Sequence, residues 1–313
     1  MEVRCRKHLP SACRKREAIL TGDWLAIVNP RSGGNRNSDR LADLMAALQR
    51  LAAKTVLTLH PGHAAELARE SQSYGGVVAV GGDGTLFEIL KGIDRGRQRI
   101  ALVPAGRGNS LARDLGLMHR HRVLDVVHWQ QTQAIDLMQV HVTSADGVES
   151  TYLSASTIAL GYPAAVTQRA RELAAFGKMS YAAAAAATWP SRFSARVQYA
   201  GGAPRDVRLS GFIANNTRHL ANFVGFRAAS FCDGKFDAME MSGGAVKQTI
   251  HNLSALSGTG FYEPHLVKQT TAAQVCMETP RDLMMDGEIV PNVITIRVDI
   301  LPAALACNRP EEA

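Results

Sequence analysis

A carboxylate lies inside a glycine-rich turn at residues 81–85, which read Gly-Gly-Asp-Gly-Thr. The apolar run at 77–80 before it predicts a buried strand, and residues 86–90 after it predict the first turns of a helix. Backbone N–H groups converge on such a turn and the helix dipole attracts negative charge, so the segment predicts an anion site. Asp83 would repel a phosphate there unless a cation or a transferring proton stood between them. The turn therefore predicts phosphate chemistry with a metal.

Two more glycine-containing loops follow other predicted strands. Residues 29–35 follow an apolar run at 25–28, and residues 104–110 follow another at 100–103. Glycine allows a ligand close to the backbone, and the amide of Asn109 offers both a donor and an acceptor. Arg107 could pair with a phosphate through both ends of its guanidinium, or it could be an ordinary exposed loop arginine.

The elements that would carry these loops alternate between strand and helix. Such alternation predicts a parallel sheet with helices on both faces, and ligands of open α/β sheets bind beyond the carboxyl ends of the strands. All three loops fall at those ends. The patterns predict strands at 25–28, 55–59, 77–80 and 100–103, and helices at 39–51, 63–71 and 86–92.

A change of pattern after residue 137 predicts a second, β-rich and sandwich-like domain. Two helices are expected within it, at 164–174 and at 179–189, and the second contains six consecutive alanines. Short alternating stretches separated by turn residues predict its strands, at 134–137, 140–142, 195–199, 207–209, 211–214, 238–241 and 293–298.

Two acidic turns lie in this second region. One spans residues 230–237 around Asp233-Gly234, and the other spans 284–288 around Asp286-Gly287. By itself an Asp-Gly pair predicts no more than a hairpin turn.

Composition narrows the class of partner. The chain has 313 residues, with 35 Lys plus Arg against 28 Asp plus Glu, so its net charge is +7. A positive charge suits a nucleotide, an acidic membrane surface or a nucleic acid. Basic and aromatic residues do not interleave as in a nucleic-acid platform, so we expect no nucleic-acid partner. Five scattered cysteines without a C-x-x-C pair favour a reduced, intracellular compartment.

Nothing in the sequence predicts a membrane span, because no run of 18 apolar residues occurs. The basic residues among positions 1–22 precede no apolar core, which argues against a secretory signal. We expect a disordered, solvated tail there, and weak electrostatic attachment to anionic lipid is the alternative.

Three motifs taken together resemble those of the diacylglycerol kinase-like lipid kinases, which include YegS-like and sphingosine kinases. They are Asn29-Pro-x-Ser-Gly33, Gly81-Gly-Asp-Gly-Thr85 with Glu88 and Gly92, and Pro104-x-Gly-x-x-Asn109. NAD kinases and phosphofructokinase relatives share the central element alone, whereas the ordered set of three is more specific. The resemblance implies a Rossmann- or phosphofructokinase-like domain at 23–137, a lipid-substrate domain at 138–299, and a return of residues 300–307 to the first.

The resemblance also implies roles for individual residues. Glu288 corresponds to the proton acceptor, and Asp83 would engage the metal–nucleotide complex, with a share in the base role left open. Mg²⁺ would be held by the carboxylate of Asp233 and the backbone carbonyls of Ser230 and Lys235. The implied nucleotide contacts are Asn29, Ser32, Gly33, Thr58, Gly81, Gly82, Asp83, Gly84, Thr85, Glu88, Gly106, Arg107 and Asn109.

The chain departs from the family pattern at several positions. Phe87 stands where the family usually has Asn, Arg107 where it commonly has Thr or Ser, and Ser110 where it often has Asp. Residues 219–223 replace a glycine cluster. Arg107 could restore a phosphate contact by charge, and all the acidic residues of the motifs are present.

The sequence therefore predicts a lipid kinase that uses ATP and Mg²⁺ and acts from the cytosol on a membrane lipid hydroxyl. Such a kinase would contact an anionic membrane surface peripherally. The sequence leaves the oligomeric state open, and a homodimer is one option. An NAD kinase is one alternative, although residues 104–110 do not match the Asn-x-Gly-x-Leu-Gly-Phe stretch expected of it. A catalytically weak lipid-binding regulator is the other, and Phe87 and Arg107 are its best support.

Overall fold

The computed structural model describes residues 23–33, 38–50, 54–119, 132–173, 180–220, 223–242 and 267–309. The predicted basic tail at 1–22 and Met179, the predicted first residue of the second-domain helix, lie outside them. Within the described ranges, no helix is long and apolar enough to cross a bilayer.

Six α-helices and sixteen strands follow one another along the described chain. The helices are α1 Ser38–Arg50, α2 His63–Glu70, α3 Asp83–Leu90, α4 Ser110–Asp114, α5 Tyr162–Glu172 and α6 Ser180–Ala187. The first eight strands are β1 Trp24–Val28, β2 Lys54–Leu57, β3 Gly76–Gly81, β4 Arg99–Pro104, β5 Thr132–Ser144, β6 Glu149–Ser154, β7 Thr157–Gly161 and β8 Phe193–Tyr199. The others are β9 Arg205–Leu209, β10 Gly211–Asn215, β11 His219–Leu220, β12 Phe223–Val224, β13 Phe236–Met241, β14 Val267–Thr270, β15 Ala272–Met285 and β16 Glu288–Asn308.

The N-terminal strands form the predicted parallel sheet, in the order β2-β1-β3-β4. Every residue of β1 and β3 is buried. Short apolar, β-branched runs suit such strands because helices cover both faces of the sheet. Leu48 of α1 packs on one face, and Ala64, Leu67 and Ala68 of α2 pack on the other.

The C-terminal part is the predicted β-rich region, and one long strand joins it to the parallel sheet. β16 pairs antiparallel with β15 and β5 along most of its length. Near its end, Ala306 and Cys307 of β16 pair in parallel with β4. From β15 the sheet extends through β7, β10, β13 and β14, while β6 pairs with β5, and β8 and β9 extend from β15. Strands β11 and β12 form a separate two-stranded sheet. The predicted fold class is confirmed, and the exact domain boundaries stay a prediction.

Several elements of the β-rich region differ from the sequence-based expectation. The two strands expected at 134–137 and 140–142 are one strand, β5. β15 was not predicted, because Glu278, Pro280 and Arg281 interrupt its alternation where its pairing with β16 shifts register. α6 ends at Ala187, before the predicted end, and a proline at 190 disfavours helix in the residue before it.

Helices α2 and α3 pack closely through the second half of the central motif. Glu88 of α3 accepts hydrogen bonds from the backbone N–H of Gly62 (2.9 Å) and Ala64 (3.2 Å), so it caps the N-terminus of α2. Gly92 follows α3, and a Cβ there would lie 2.5 Å from the carbonyl oxygen of Ala65 and 2.6 Å from the nitrogen of Arg69. Glu88 and Gly92 therefore hold α2, and with it the loop after β2, against α3.

Gly92→Ala should destabilise the protein because the added methyl group would meet the backbone of α2. We expect the free energy of unfolding to fall by about 1–3 kcal/mol, the usual cost of overpacking. Urea denaturation measures it. Gly202→Ala is the matched control, because the nearest atom to a Cβ there lies 3.4 Å away. Equal stability of the two variants would contradict the tight α2–α3 contact.

Candidate active site

The loops after β1 and β3 are joined by Asn29. Its backbone N–H donates to the carbonyl of Val80 (2.9 Å), and its side-chain Nδ2 donates to Oγ1 of Thr85 (3.0 Å). Its Oδ1 accepts from the backbone N–H of Arg31 (2.9 Å), and its carbonyl accepts from that of Ser32 (3.2 Å). Asn29 therefore fixes the first loop beside the N-terminus of α3.

The loops after β3 and β4 touch through their backbones. The carbonyl of Gly81 accepts from the N–H groups of Ala105 (2.8 Å) and Gly106 (3.1 Å). A Cβ on Gly106 would lie 2.4 Å from Cα of Gly82, so a side chain at this position would separate the loops. Asn109 is in the left-handed region (φ 56°), and its amide bonds both the N–H and the carbonyl of Gly106. Asn109 therefore shapes the third loop.

The first and third loops also meet. A Cβ on Gly33 would lie 3.3 Å from Cγ of Arg107, whose side chain is otherwise exposed. The guanidinium of Arg107 therefore lies at the mouth of the three loops, where it can reach an anion bound over them.

Thr58 and Glu88 are placed apart from the three phosphate loops. Thr58 follows β2, and its N–H donates to the carbonyl of Val28 (2.9 Å), so it lies one strand outward from Asn29. Glu88 contacts the N-terminus of α2 instead of the glycine turn. Glu88 therefore holds the start of α2, which follows the loop that carries Thr58.

Asp83 is the first residue of α3, and its environment favours the protonated form. Its Oδ1 accepts from the backbone N–H of Ser110 (2.8 Å). Burial raises the pKa of Asp83 to about 7, and the charge of Asp286 adds to the shift. An acidic group that titrates near neutrality inside a cleft is a candidate functional group.

Asp286 occupies the tight turn between β15 and β16. It and Gly287 both have positive φ (49° and 92°), as a two-residue hairpin turn requires. Its buried carboxylate accepts four hydrogen bonds of 2.8–3.0 Å from the turn between β6 and β7: Ser154 Oγ and the N–H groups of Ala155, Ser156 and Thr157. Burial nevertheless raises the pKa of Asp286.

Glu288 follows this turn directly and reaches the glycine loop. A Cβ on Gly84 would lie 2.7 Å from Oε1 of Glu288, so the carboxylate stands directly against the N-terminus of α3. The same Oε1 accepts from Nη2 of Arg171 on α5 (2.8 Å). The structure therefore brings Asp83 and Glu288, which are distant in sequence, to one place.

Tyr181 of α6 belongs to the same cluster. Burial raises its pKa, the charge of Asp83 adds to the shift, and the charges of Arg107 and Arg171 oppose it. The sequence does not predict that Arg171 and Tyr181 are neighbours of Glu288 and Asp83. No local pattern marks them, because they reach the site from two different helices.

The predicted metal residues lie in the turn before β13. Oδ1 of Asp233 accepts from the N–H of Lys235 (3.1 Å), and burial raises the pKa of Asp233. The buried Asp136 accepts from the N–H groups of Gly234 and Ala303, both at 2.7 Å. Burial raises the pKa of Asp136 and raises that of Asp237 to about 6, and the charge of Asp233 adds to both shifts. Three mutually repelling carboxylates therefore surround this turn.

A buried amide connects the two acidic turns. Nδ2 of Asn216 donates to the carbonyls of Asp136 (2.8 Å) and Ala155 (3.2 Å), and the N–H of Ala155 binds Asp286. Among the buried atoms that the structure describes, Oδ1 of Asn216 and Oγ of Ser156 have no protein partner. In the same part of the chain, no three His, Cys, Asp or Glu side chains are arranged as a metal site.

Asp83→Asn should change how stability depends on pH. The folded chain holds the proton of Asp83 up to about pH 7, whereas the unfolded chain releases it near 3.8. Stability is therefore lost as the pH rises between those values, by up to about 4 kcal/mol in all and by about 3 kcal/mol between about pH 5 and about pH 7, and the variant should lose less by this amount. Urea denaturation at about pH 5 and about pH 7.5 measures it. Asp43→Asn, on the exposed side of α1, is the control, and equal pH dependence in wild type and Asp83→Asn would contradict the shift.

Residues 23–140 match the family model of the diacylglycerol kinase catalytic domain. The chain is 34% identical over 103 residues to YtlR of Bacillus subtilis, covering 30% of this chain and 33% of YtlR. It is 30% identical over 102 residues to sphingosine kinase B of Dictyostelium discoideum, covering 29% of this chain and 13% of that protein. It is 32% identical over 110 residues to human diacylglycerol kinase zeta, covering 34% and 12%. The chain thus spans about a third or less of the length of these curated relatives.

Solved structures share the fold over almost the whole chain. A diacylglycerol kinase from Bacillus anthracis superposes with a TM-score of 0.73 at 18% identity, covering 92% of this chain and 97% of that one. An NAD kinase from Archaeoglobus fulgidus superposes less closely, with a TM-score of 0.51 at 14% identity, covering 92% and 94%. The match to a diacylglycerol kinase catalytic domain therefore contains all three loops, and over that part of its length the chain is similar to proteins named as sphingosine and diacylglycerol kinases.

Proposed function

We propose that this protein transfers the γ-phosphate of ATP to a hydroxyl group of a membrane lipid. The observation that carries the proposal is the contact between Glu288 and Gly84. It sets a carboxylate from the β-rich region against the helix N-terminus where the phosphate loops converge. A proton acceptor thus faces the place where an anionic phosphoryl group would bind, as phosphoryl transfer to an alcohol requires.

The phosphates would bind over the three loops, with backbone N–H groups at the start of α3 as donors. The first turn of a helix has N–H groups with no partner inside the helix, and they favour anions. Arg107 would add charge from the third loop, and Asn29 and Asn109 would hold the loops in place. Thr58 would contact the nucleotide one strand further out.

Glu288 would act as the general base. The acceptor hydroxyl gives its proton to Glu288 as its oxygen bonds the γ-phosphorus, and the bond from that phosphorus to the bridging oxygen of ADP breaks. Asp83 lies at the same helix terminus and would interact with the bound nucleotide. Its raised pKa means that a nearby positive charge would be needed to keep it ionised at neutral pH.

Mg²⁺ would bind at the turn before β13. The carboxylate of Asp233 and the carbonyls of Ser230 and Lys235 are hard oxygen donors, which magnesium prefers. A cation there would supply the positive charge that the repelling carboxylates of Asp136, Asp233 and Asp237 require.

We propose the chemical class of the lipid substrate, which is a lipid with a free hydroxyl group. A diacylglycerol, a sphingoid base and a ceramide each offer a hydroxyl on an apolar body, and the names of the relatives include sphingosine and diacylglycerol kinases. The same proposal includes peripheral contact with an anionic membrane, action from the cytosol, and a homodimer as one oligomeric state. The NAD kinase alternative is supported by similarity of fold alone.

Glu288→Gln should abolish most phosphoryl transfer while leaving nucleotide binding intact. We expect kcat to fall by about 10²–10⁴-fold, the usual contribution of a general base, because the amide cannot accept the proton. A panel of diacylglycerol, sphingosine, ceramide and polyprenol in mixed micelles with radiolabelled ATP measures turnover. Glu149→Gln, at the exposed start of β6, is the matched control. A wild-type protein that labels no lipid would refute the proposed activity and favour a lipid-binding regulator, whereas an active Glu288→Gln variant would refute the base role.

Asp233→Asn should remove a stabilising effect of magnesium. An ion that binds only the folded state raises its stability, so about 5 mM Mg²⁺ should raise the Tm of the wild type by about 2–5 °C. Differential scanning fluorimetry with and without chelator measures this rise. The rise should be absent in Asp233→Asn and retained in Asp43→Asn. A full rise in Asp233→Asn would place the ion elsewhere.

A further inference from the structure

Arg171 contacts Glu288, the proposed base, although none of the motifs found in the sequence contains Arg171. It lies in the last turn of α5, and its Nη2 is 2.8 Å from Oε1 of Glu288. The two residues are separated by 117 positions in the chain. The ion pair therefore links a side chain of α5 to the first residue of β16.

The contact selects one oxygen of the carboxylate. Oε1 is also the atom that stands against Gly84, 2.7 Å from where its Cβ would be. A guanidinium that holds Oε1 in this place leaves Oε2 as the oxygen that can receive a proton from an acceptor hydroxyl. We propose that Arg171 is a positioning residue, which orients Glu288 for proton transfer, and this inference rests on the proposed kinase function.

The charges around Glu288 support this role. Asp83 begins α3 next to Gly84, and Asp286 lies two residues before Glu288 in the turn. Arg171 provides positive charge from α5, and its charge and that of Arg107 both act on Tyr181 of α6. Without Arg171, the carboxylate would be free to turn away from the helix terminus.

The ion pair between Arg171 and Glu288 contributes little to the free energy of unfolding. Both side chains are 42% exposed, and exposed ion pairs contribute little to folding because water and salt screen them. Its loss should therefore appear in turnover and leave the folded state unchanged. This difference separates a positioning role from a structural one.

The test compares Arg171→Ala, Arg171→Lys and Arg169→Ala. Arg169 is exposed on the same turn of α5, so its variant controls for loss of surface charge. We expect kcat to fall about 10–100-fold in Arg171→Ala, with KM for ATP changed less than about 3-fold and Tm unchanged. Arg171→Lys should restore part of kcat, because it returns the charge without the guanidinium fork. Ethylguanidinium in the assay should also raise kcat of Arg171→Ala and not that of Arg169→Ala.

A second comparison uses Glu288→Gln as background. If Arg171 acts through Glu288, adding Arg171→Ala to that variant should lower kcat no further. Wild-type kcat in Arg171→Ala would overturn the inference, and so would a loss that neither lysine nor ethylguanidinium restores. These outcomes require an active wild type, so they are distinct from failure of the proposed function, in which the wild type labels no lipid and the positioning role falls with it.

Discussion

The geometry of the site depends on one buried carboxylate, that of Asp286. Four donors from the turn between β6 and β7 hold it, so the hairpin between β15 and β16 has one position relative to that turn. Glu288 begins β16 immediately after the hairpin, and its place against Gly84 follows from this anchor. Removing such a carboxylate would leave several buried N–H groups unpaired, which is costly. The charge of Asp286 also adds to the effect of burial, which raises the pKa of Asp83, so one residue influences both the position of Glu288 and the protonation of Asp83.

The glycines of the central motif each permit a different close approach. At Gly81 a Cβ would lie 2.3 Å from Oγ1 of Thr85, at Gly82 it would lie 2.9 Å from Cα of Gly106, and at Gly84 it would meet Glu288. The first contact keeps the turn tight, the second joins two loops, and the third admits the carboxylate of another region. The motif is therefore a steric requirement of this junction as well as the predicted phosphate-binding turn.

The sequence predicted the parallel sheet and its loops because both depend on local pattern. Apolar runs marked β1, β3 and β4, and glycines marked the turns after them. The roles of Asp136 and Arg171 could not be predicted in this way, because their partners are about 100 positions away in the chain. Glu88 shows that a residue inside a local motif can also have a contact that the sequence does not predict. The resemblance implies a nucleotide contact for Glu88, which stays a prediction, whereas the structure shows its carboxylate capping α2, a contact that depends on the packing of two helices.

The departures from the family pattern have structural explanations that leave the site intact. The ring of Phe87 is 2% exposed and stacks with Tyr152 of β6 at 6.2 Å, with the ammonium of Lys91 4.4 Å from its centroid. It thus binds α3 to the core of the β-rich region, where an amide would have no such packing. Ser110 still bonds Asp83 through its backbone N–H, a contact independent of side-chain identity. Because Phe87 faces this core and the carboxylates are all in place, its presence is better explained by packing between the two regions than by a lost catalytic function.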